Sequence, residues 1–349
     1  MIRFECDYLE GAHPRILERL TATNMEQTPG YSLDSHCAKA RYQIQHLCEN
    51  SSLDVHFLVG GTQTNTTVIA AALRPHQGVI AADTGHINVH ETGAIEAAGH
   101  KVIVCPGRNG KLTAGQVWEK CSRHFSDPER EHGVQPRMVY ISHPTENGTL
   151  YTFSELKDIH DVCREFGLKL FLDGARLGYG LAAHENFPEE DRVALPDIAR
   201  LCDVFYIGGT KVGALFGEAV VISDPELKKD FRYHIKQHGG MLAKGRLLGI
   251  QFETLFEDGL YFDISRRAVK LALEIKAALI SRNIPLLFDS PTNQQYPILP
   301  DDALFRLSEK YSFSTWEKVD PDHTAVRICT SWATTEENVA ELIGDIMAL

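Results

Sequence analysis

The sequence of 349 residues predicts an α/β fold, in which a large domain with a mostly parallel mixed sheet precedes a smaller α+β domain. Short apolar runs alternate with segments of helical pattern up to about residue 225. Such alternation is typical of βαβ units, whose parallel strands are buried on both faces. Beyond that point long helices precede the next strands, which indicates a second unit.

The predicted strands of the large domain are runs rich in Val, Ile, Leu and Phe. In chain order they are 56–61, 78–82, 101–105, 137–142, 168–173, 203–208 and 218–223. Residues 152–167, "TFSELKDIHDVCREFG", predict a helix with Thr152 or Ser154 as its N-cap and Gly167 at its end. Residues 177–189, "LGYGLAAHENFPE", are predicted to form a loop near the functional site.

The later part of the chain predicts two helices separated at Gly239-Gly240, a long amphipathic helix over 264–283 and a last helix over 335–348. Short apolar runs between the last two predict the strands of the small domain. The domain prediction is therefore an N-terminal segment, 1–40, at a domain or subunit interface, a large domain, 41–254, and a small domain, 255–349.

Composition and charge argue against several classes of protein. The net charge is −12 and no long Lys/Arg cluster occurs, so a nucleic-acid partner is not expected. No uncharged run approaches the roughly 18–20 residues of a membrane span, and the first residues lack the pattern of a signal peptide. The eight cysteines are scattered without a CxxC pair, which favours free thiols and a cytoplasmic location.

One lysine lies in an unusual place. Lys211 follows an apolar strand and sits in the glycine-rich turn "YIGGTKVGALFG", 206–217. Most lysines are surface residues. Lys211 is a candidate for more than that, because two other features of the sequence also come at the ends of predicted strands. "VGGTQTN", 59–65, opens a helix whose free N–H groups can seat a phosphate, and Asp173 ends the strand of "LFLDGAR". Ligands of open α/β sheets bind at this edge, so the three features are expected to meet.

An amine, a carboxylate and a phosphate seat together predict a pyridoxal 5′-phosphate site. The cofactor needs an amine for its Schiff base, an anion beside its pyridinium nitrogen and a cradle for its phosphate. Locally each feature has another explanation: Gly-Thr is equally an N-cap, and Asp-Gly is a common turn pair. His86 and His90 have metal-ligand spacing, but no third ligand is evident, so no metal is expected.

The motifs "FLDGARLGYGLA", "IGGTKVG", "VGGTQTN" and "HINVHETGA" resemble the threonine aldolases, which belong to the β-eliminating-lyase group of fold-type I pyridoxal-phosphate enzymes. The segments "PTENGTLY" and "AVRICTSWATTEENVAELI" are most similar to the phenylserine-aldolase branch. The resemblance covers nearly the whole chain. It implies a homodimer or homotetramer with shared active sites.

The resemblance assigns the cofactor to residues of these motifs. Lys211 would form the Schiff base, Asp173 would face the pyridine nitrogen, and His86 would stack on the ring. The full cofactor set is Gly61, Thr62, His86, Asp173, Arg176, Thr210 and Lys211.

The resemblance also implies contacts with an amino-acid substrate. Arg327 would grip its carboxylate, Arg176 is an alternative anchor, and Tyr31 would reach the site of a neighbouring subunit. Two positions depart from the family pattern. Cys6 replaces a serine that binds the carboxylate, and Glu146 replaces a histidine near the substrate hydroxyl.

The sequence thus predicts an aldolase that cleaves L-β-hydroxy-α-amino acids of the threonine, allo-threonine or phenylserine type to glycine and an aldehyde. The expected catalytic residues are Lys211, His86, Glu146 and Asp173. Another β-eliminating lyase or an aminotransferase of this fold would use the same Lys and Asp. A non-catalytic α/β binding protein is the remaining alternative.

Overall fold

The computed structural model describes residues 1–349 and contains thirteen strands and fifteen α-helices. The strands are β1 (Ile2–Arg3), β2 (Asp54–Leu58), β3 (Gln77–Ala82), β4 (Lys101–Cys105), β5 (Gln135–Ser142), β6 (Lys169–Asp173), β7 (Val204–Gly208), β8 (Glu218–Ile222), β9 (Gln294–Gln295), β10 (Ile298–Pro300), β11 (Tyr311–Ser312), β12 (Ser314–Asp320) and β13 (His323–Cys329). The helices are α1 (Pro14–Ala22), α2 (Ser35–Leu47), α3 (Gly61–Ala72), α4 (His86–Val89), α5 (Ala94–Ala97), α6 (Ala114–Ser126), α7 (Phe153–Phe166), α8 (Leu177–His184), α9 (Leu195–Leu201), α10 (Pro225–Lys228), α11 (Phe231–Gln237), α12 (Arg246–Phe256), α13 (Leu260–Ser281), α14 (Asp301–Ser308) and α15 (Glu336–Met347).

Seven strands form the central sheet in the order β2-β8-β7-β6-β5-β3-β4. Only β8 runs against its neighbours, β2 and β7, and the other pairs are parallel. Every strand that the sequence predicted for the large domain is present. The predicted α/β fold with a mostly parallel mixed sheet is confirmed.

Helices bury both faces of this sheet. Val55 and Phe57 of β2 belong to the larger apolar core, to which α2 and α12 contribute. Leu58 of the same strand points to the other face and packs in a second core with side chains of α3. The sheet is therefore a middle layer, and its carboxyl edge is the opening available for a site.

The helix predicted over 152–167 begins and ends as its sequence indicates. Thr152 is the N-cap, and a capping box joins it to Glu155. Ser154, the other candidate, lies inside the helix. Gly167 ends α7 in the left-handed conformation at φ 65°, which glycine adopts without strain.

The predicted loop over 177–189 is wrong for its first part. Residues 177–184 form α8, and all eight are buried. Its glycines indicated a loop, but they serve close packing instead. A β-carbon on Gly178 would lie 2.4 Å from the Ser265 hydroxyl and 2.9 Å from the Tyr261 ring, so glycine lets α8 approach α13 closely.

The C-terminal part carries its own antiparallel sheet, β10-β13-β12, with β9 on β13. β1 pairs with β11 there, so the first residues of the chain lie against this unit. α13 starts in the core of the large sheet and ends in the core of the small one. The boundaries at residues 40 and 254 remain predictions. No helix is both long and apolar enough to cross a membrane.

Candidate active site

The carboxyl edge of the central sheet brings together the three features that the sequence singled out. Asp173 is the last residue of β6, and Lys211 follows the end of β7 by three residues. β6 and β7 are parallel neighbours, so the two side chains start from adjacent strands. The glycine turn after β2 leads into α3 at the same edge.

Asp173 is surrounded by hydrogen-bond donors. The hydroxyls of Tyr140 and Tyr206 each donate to one carboxylate oxygen at 2.5 Å. The Asn65 amide donates to Oδ2 at 3.2 Å and the Ala175 N–H to Oδ1 at 3.0 Å. The residue is only 4% exposed. Such a carboxylate is held in one orientation, and the N–H of a bound ring would share an oxygen with these donors or replace one of them.

Lys211 presents an amine without a hydrogen-bond acceptor in the chain. Its Nζ lies 5.9 Å from the centre of the Tyr8 ring. Burial lowers the pKa of this amine, and the nearby Arg176 charge lowers it further. Asp7 and other carboxylates oppose this effect without cancelling it. A lowered pKa favours the neutral amine, which is the nucleophilic form.

The predicted phosphate seat is the N-terminus of α3. Gly60 is its N-cap, and no side chain caps the free N–H groups of Gly61 and Thr62. A β-carbon on Gly61 would lie 3.3 Å from the Tyr206 hydroxyl, so glycine keeps the space beside that hydroxyl open. Free N–H groups and the helix dipole suit an anion.

Thr210, a predicted cofactor contact, is committed elsewhere. Its hydroxyl accepts from the Gly217 N–H at 3.1 Å and donates to Glu218 at 2.8 Å. Its own N–H donates to the Gly217 carbonyl at 3.2 Å. No donor of Thr210 is therefore left for a phosphate.

His86 begins α4 and is joined to Asp173 through two side chains that the sequence analysis missed. His86 Nδ1 lies 2.7 Å from Glu91 Oε1, and the Asn65 amide donates to the same oxygen at 2.7 Å. Burial lowers the pKa of His86, but the Glu91 hydrogen bond and the charges of Glu146 and Asp173 outweigh it and raise the pKa. Asn65 and Glu91 lie inside motifs that the sequence showed, but only the fold brings them together.

Arg176 forms a two-pronged ion pair with Asp7. Its Nε and Nη2 donate to the two Asp7 oxygens at 2.7 and 3.0 Å, and both side chains are buried. The Asn293 amide donates to Asp7 at 2.9 Å. Asp7 is thus the partner that fixes the Arg176 guanidinium, and Nη1 and the second N–H of Nη2 remain for a ligand.

Arg327 lies on β13 with a free donor. Its Nη2 donates to the Glu5 carbonyl at 3.1 Å, and its guanidinium lies 5.9 Å from the centre of the Trp316 ring. Its Nε is buried without a partner. Cys6 lies in the chain between Glu5, which contacts Arg327, and Asp7, which contacts Arg176. A buried donor without an acceptor is costly, which favours an anionic ligand at this position.

Glu146 lies in the loop after β5 and is half-buried. Its carbonyl accepts from the Tyr296 hydroxyl at 2.6 Å, but its carboxylate has no hydrogen bond. The charge of Glu146 raises the pKa of both His86 and Lys211. The carboxylate therefore lies on the same side of the sheet edge as His86 and Lys211, within range of their charges.

Tyr31 is not brought to this site within one chain. It is 43% exposed, and the Lys236 Nζ lies 5.0 Å from the centre of its ring. Its N–H donates to the Ala243 carbonyl at 3.2 Å. The proposed contact with a neighbouring subunit stays a prediction.

The side chains fit pyridoxal phosphate. Asp173 offers an acceptor for the pyridine N–H, Lys211 offers an amine, and α3 offers an anion seat. The buried Arg327 Nε offers a donor for a substrate carboxylate. No group of three His, Cys, Asp or Glu side chains is placed to hold a metal ion.

Known proteins resemble the chain over its whole length. Residues 7–287 match the beta-eliminating lyase family. The low specificity L-threonine aldolase of Pseudomonas sp. (strain NCIMB 10558) is 30% identical over 352 residues, which cover 99% of this chain and 97% of that protein. The corresponding protein of Pseudomonas aeruginosa is 30% identical over 350 residues, covering 99% and 96%.

Solved structures also resemble this chain. A threonine aldolase of Leishmania major is 45% identical, with a TM-score of 0.95, and the match covers 100% of this chain and 99% of that one. An aspartate aminotransferase of Thermus thermophilus has a TM-score of 0.67 at 12% identity, covering 100% of this chain and 91% of that one. The second likeness shows the fold alone.

Proposed function

The chain belongs to the beta-eliminating lyase family and to its threonine aldolases, and from that premise we propose that it cleaves L-β-hydroxy-α-amino acids to glycine and an aldehyde. It is a pyridoxal-phosphate-dependent lyase. The likeness to threonine aldolases carries the reaction class. The Lys211 amine and the buried Asp173 carboxylate, at the ends of adjacent parallel strands, support the cofactor. The substrates we propose are of the threonine, allo-threonine or phenylserine type.

In this proposal the residues of the chain first bind and orient. Lys211 would hold the cofactor through Nζ, and Asp173 would keep the proton on its pyridine nitrogen. Bound pyridoxal phosphate supplies the electron sink for the pair released when Cα–Cβ breaks. Arg327 holds the substrate carboxylate, which orients the Cα–Cβ bond for cleavage.

A base must then take the proton of the β-hydroxyl. The candidate bases are His86, Glu146 or a water that they hold, because both side chains border the site. His86 Nε2 and the Glu146 carboxylate form no ion pair within the chain. With His86 Nδ1 directed at Glu91, its Nε2 is the nitrogen left for this work. Loss of the aldehyde and uptake of a proton at Cα give glycine.

A substrate panel tests the reaction class. We expect L-threonine, L-allo-threonine and L-phenylserine to release aldehyde and glycine in equal amounts, without a keto acid. Coupled assays for the aldehyde and amino-acid analysis for glycine measure both products. Amino-group transfer that depends on an added keto acid would instead identify an aminotransferase.

Replacing Glu146 by Gln tests the base. If the carboxylate accepts the β-hydroxyl proton, we expect kcat to fall by about 10²-fold or more. The loss of charge also lowers the pKa of His86, so the acid limb of the pH profile should move to lower pH. Glu185→Gln, an exposed residue outside the site, is the control. Unchanged turnover would remove Glu146 from the mechanism.

We further propose a homodimer or homotetramer with shared sites. Tyr31, Leu33 and Tyr233 are 43%, 64% and 75% exposed, and the Arg232 side chain donates to the Tyr31 carbonyl, so large apolar groups lie close together on the surface. A second copy of the chain would cover them. Light scattering should give a multimer, and a monomeric active enzyme would refute shared sites. Cytoplasmic location stays a prediction.

A further inference from the structure

Glu218 is a buried carboxyl group that the mechanism above does not use. It is the first residue of β8 and is 3% exposed. Its Oε1 accepts the Thr210 hydroxyl at 2.8 Å. Its Oε2 is buried and has no hydrogen-bond partner. An unpaired oxygen of this kind costs free energy unless a ligand completes it.

The strand register places Glu218 between the two ends of the cofactor site. It lies opposite Leu58 on one side and Gly208 on the other. β2 continues from Leu58 into the phosphate seat at α3, and β7 continues from Gly208 into the turn that carries Lys211. Because directly paired residues face the same way, Glu218 shares the sheet face of Leu58, which packs with α3.

The neighbouring hydrogen bonds fix where a proton on Glu218 must lie. The Gly217 N–H can only donate, and it donates to the Thr210 hydroxyl oxygen. The Thr210 hydroxyl donates to Glu218 Oε1, which acts as an acceptor. With Oε1 as the acceptor, a neutral Glu218 carries its proton on Oε2, the oxygen without a partner.

Burial has the largest effect on the pKa of Glu218, despite the charged groups around it. Burial raises the pKa of this carboxyl to about 8, although the Thr210 hydroxyl, the Lys211 charge and the Gly209 N–H act to lower it. The Asp173 charge raises it further. Tyr206 and Tyr261 also face Glu218, and the pKa of each hydroxyl is raised, so both are neutral neighbours.

We propose that Glu218 is a neutral hydrogen-bond donor to the cofactor phosphate, with its proton on Oε2. The phosphate offers three strong acceptor oxygens, and the N–H groups of α3 approach it from their own side. An ionised Glu218 in the same place would repel the phosphate. Thr210 acts through Glu218 as a positioning residue, because its hydroxyl donates to Glu218 Oε1.

A pH dependence of cofactor binding follows. The group has a raised pKa, so its donor is present below about pH 8 and is lost as the pH rises through that value. One pH unit above the pKa, about nine tenths of the carboxyls are ionised, and affinity due to the neutral form falls about tenfold. Lys211 also titrates, so the test compares variants rather than pH values alone.

The experiment measures cofactor retention. Holoenzyme is diluted at pH 7 and at pH 9, and the bound fraction is read from cofactor absorbance to give a dissociation constant. Glu218→Gln keeps a donor that does not titrate. We expect it to match the wild type within about twofold at pH 7 and to bind about tenfold more tightly at pH 9. Glu253→Gln, a buried glutamate held by His36 outside the site, should follow the wild type at both values.

Two results would overturn the proposal. One is a ratio of wild-type to Glu218→Gln affinity that is the same at both pH values. The other is a Glu218→Gln enzyme that binds the cofactor several-fold more tightly already at pH 7, since that means an ionised Glu218. If the amide variant does not fold, Glu218→Met keeps the length without a donor. It should lose about tenfold in affinity at pH 7 and little at pH 9, and a loss independent of pH contradicts the proposal.

Discussion

Replacing Lys211 by Ala is expected to abolish covalent attachment of the cofactor and to reduce aldehyde release by at least about 10³-fold. Lys211 is the amine at the sheet edge whose pKa burial lowers, and its Nζ has no acceptor in the chain that would hold it away from a ligand. Alanine removes this amine and leaves the hydrogen bonds to Asp173 unchanged. Reduction with borohydride followed by peptide mass spectrometry measures attachment directly.

The matched control for this prediction is Lys157→Ala. Lys157 lies on α7 in an exposed pair with Asp161, so its loss should leave both cofactor and turnover unchanged. In the wild type the cofactor mass should be found on the peptide that contains Lys211. Cofactor mass on any other lysine, or a Lys211→Ala enzyme with wild-type turnover, would contradict the assignment and the proposed reaction with it.

The sequence could place Lys211 and Asp173 because strand ends in a parallel sheet are a local property. Each residue comes at the end of its own apolar run, and their separation of 38 positions suffices for one helix and a return strand. Parallel neighbours end at the same edge, so proximity follows without any side-chain detail. The same reasoning predicted a helix start after β2 that could seat a phosphate, because a glycine before a helix can be recognised from neighbouring residues. The structure has that helix start, and phosphate binding there stays a prediction.

The contacts that tune the site could not be predicted in this way. Asp7 and Arg176 are 169 residues apart, and only the packing of the N-terminal segment against the sheet edge pairs them. The chain from His86 through Glu91 and Asn65 needs the relative placement of α3 and α4. The periodicity of apolar residues shows which face of a helix or strand is buried. It does not show which side chain of another element packs against that face.

The error at α8 has a different cause. Gly178 is equally typical of a loop and of a close contact between helices, and the neighbour that decides between them is Tyr261, 83 residues later. The Tyr261 hydroxyl donates to the Gly208 carbonyl at 3.0 Å and accepts from the Gly178 N–H at 3.0 Å. α13 therefore holds both α8 and the end of β7, which leads to Lys211.

Replacing Asp173 by Asn is expected to leave the cofactor bound through Lys211 but to lower turnover by about 10²–10³-fold. The carboxylate stabilises the proton on the pyridine nitrogen, and an amide carries no charge to do so. Asn also has one acceptor oxygen in place of two, so either Tyr140 or Tyr206 loses its partner, at a cost of about 1–3 kcal/mol in stability. Thermal unfolding, kcat and the nitrogen NMR signal of labelled cofactor separate the two effects.

Asp203→Asn is the control that makes this last result decisive. Asp203 is a buried carboxylate of the same sheet, 6% exposed, and accepts from Arg164 and from the Leu170 N–H. It lies just before β7, at the opposite end of the strand from Lys211. The two variants should therefore lose comparable stability, while only Asp173→Asn loses turnover and the protonated-nitrogen signal. Equal turnover in the two variants would mean that Asp173 is a structural carboxylate, and the case for an electron sink at this site would fail.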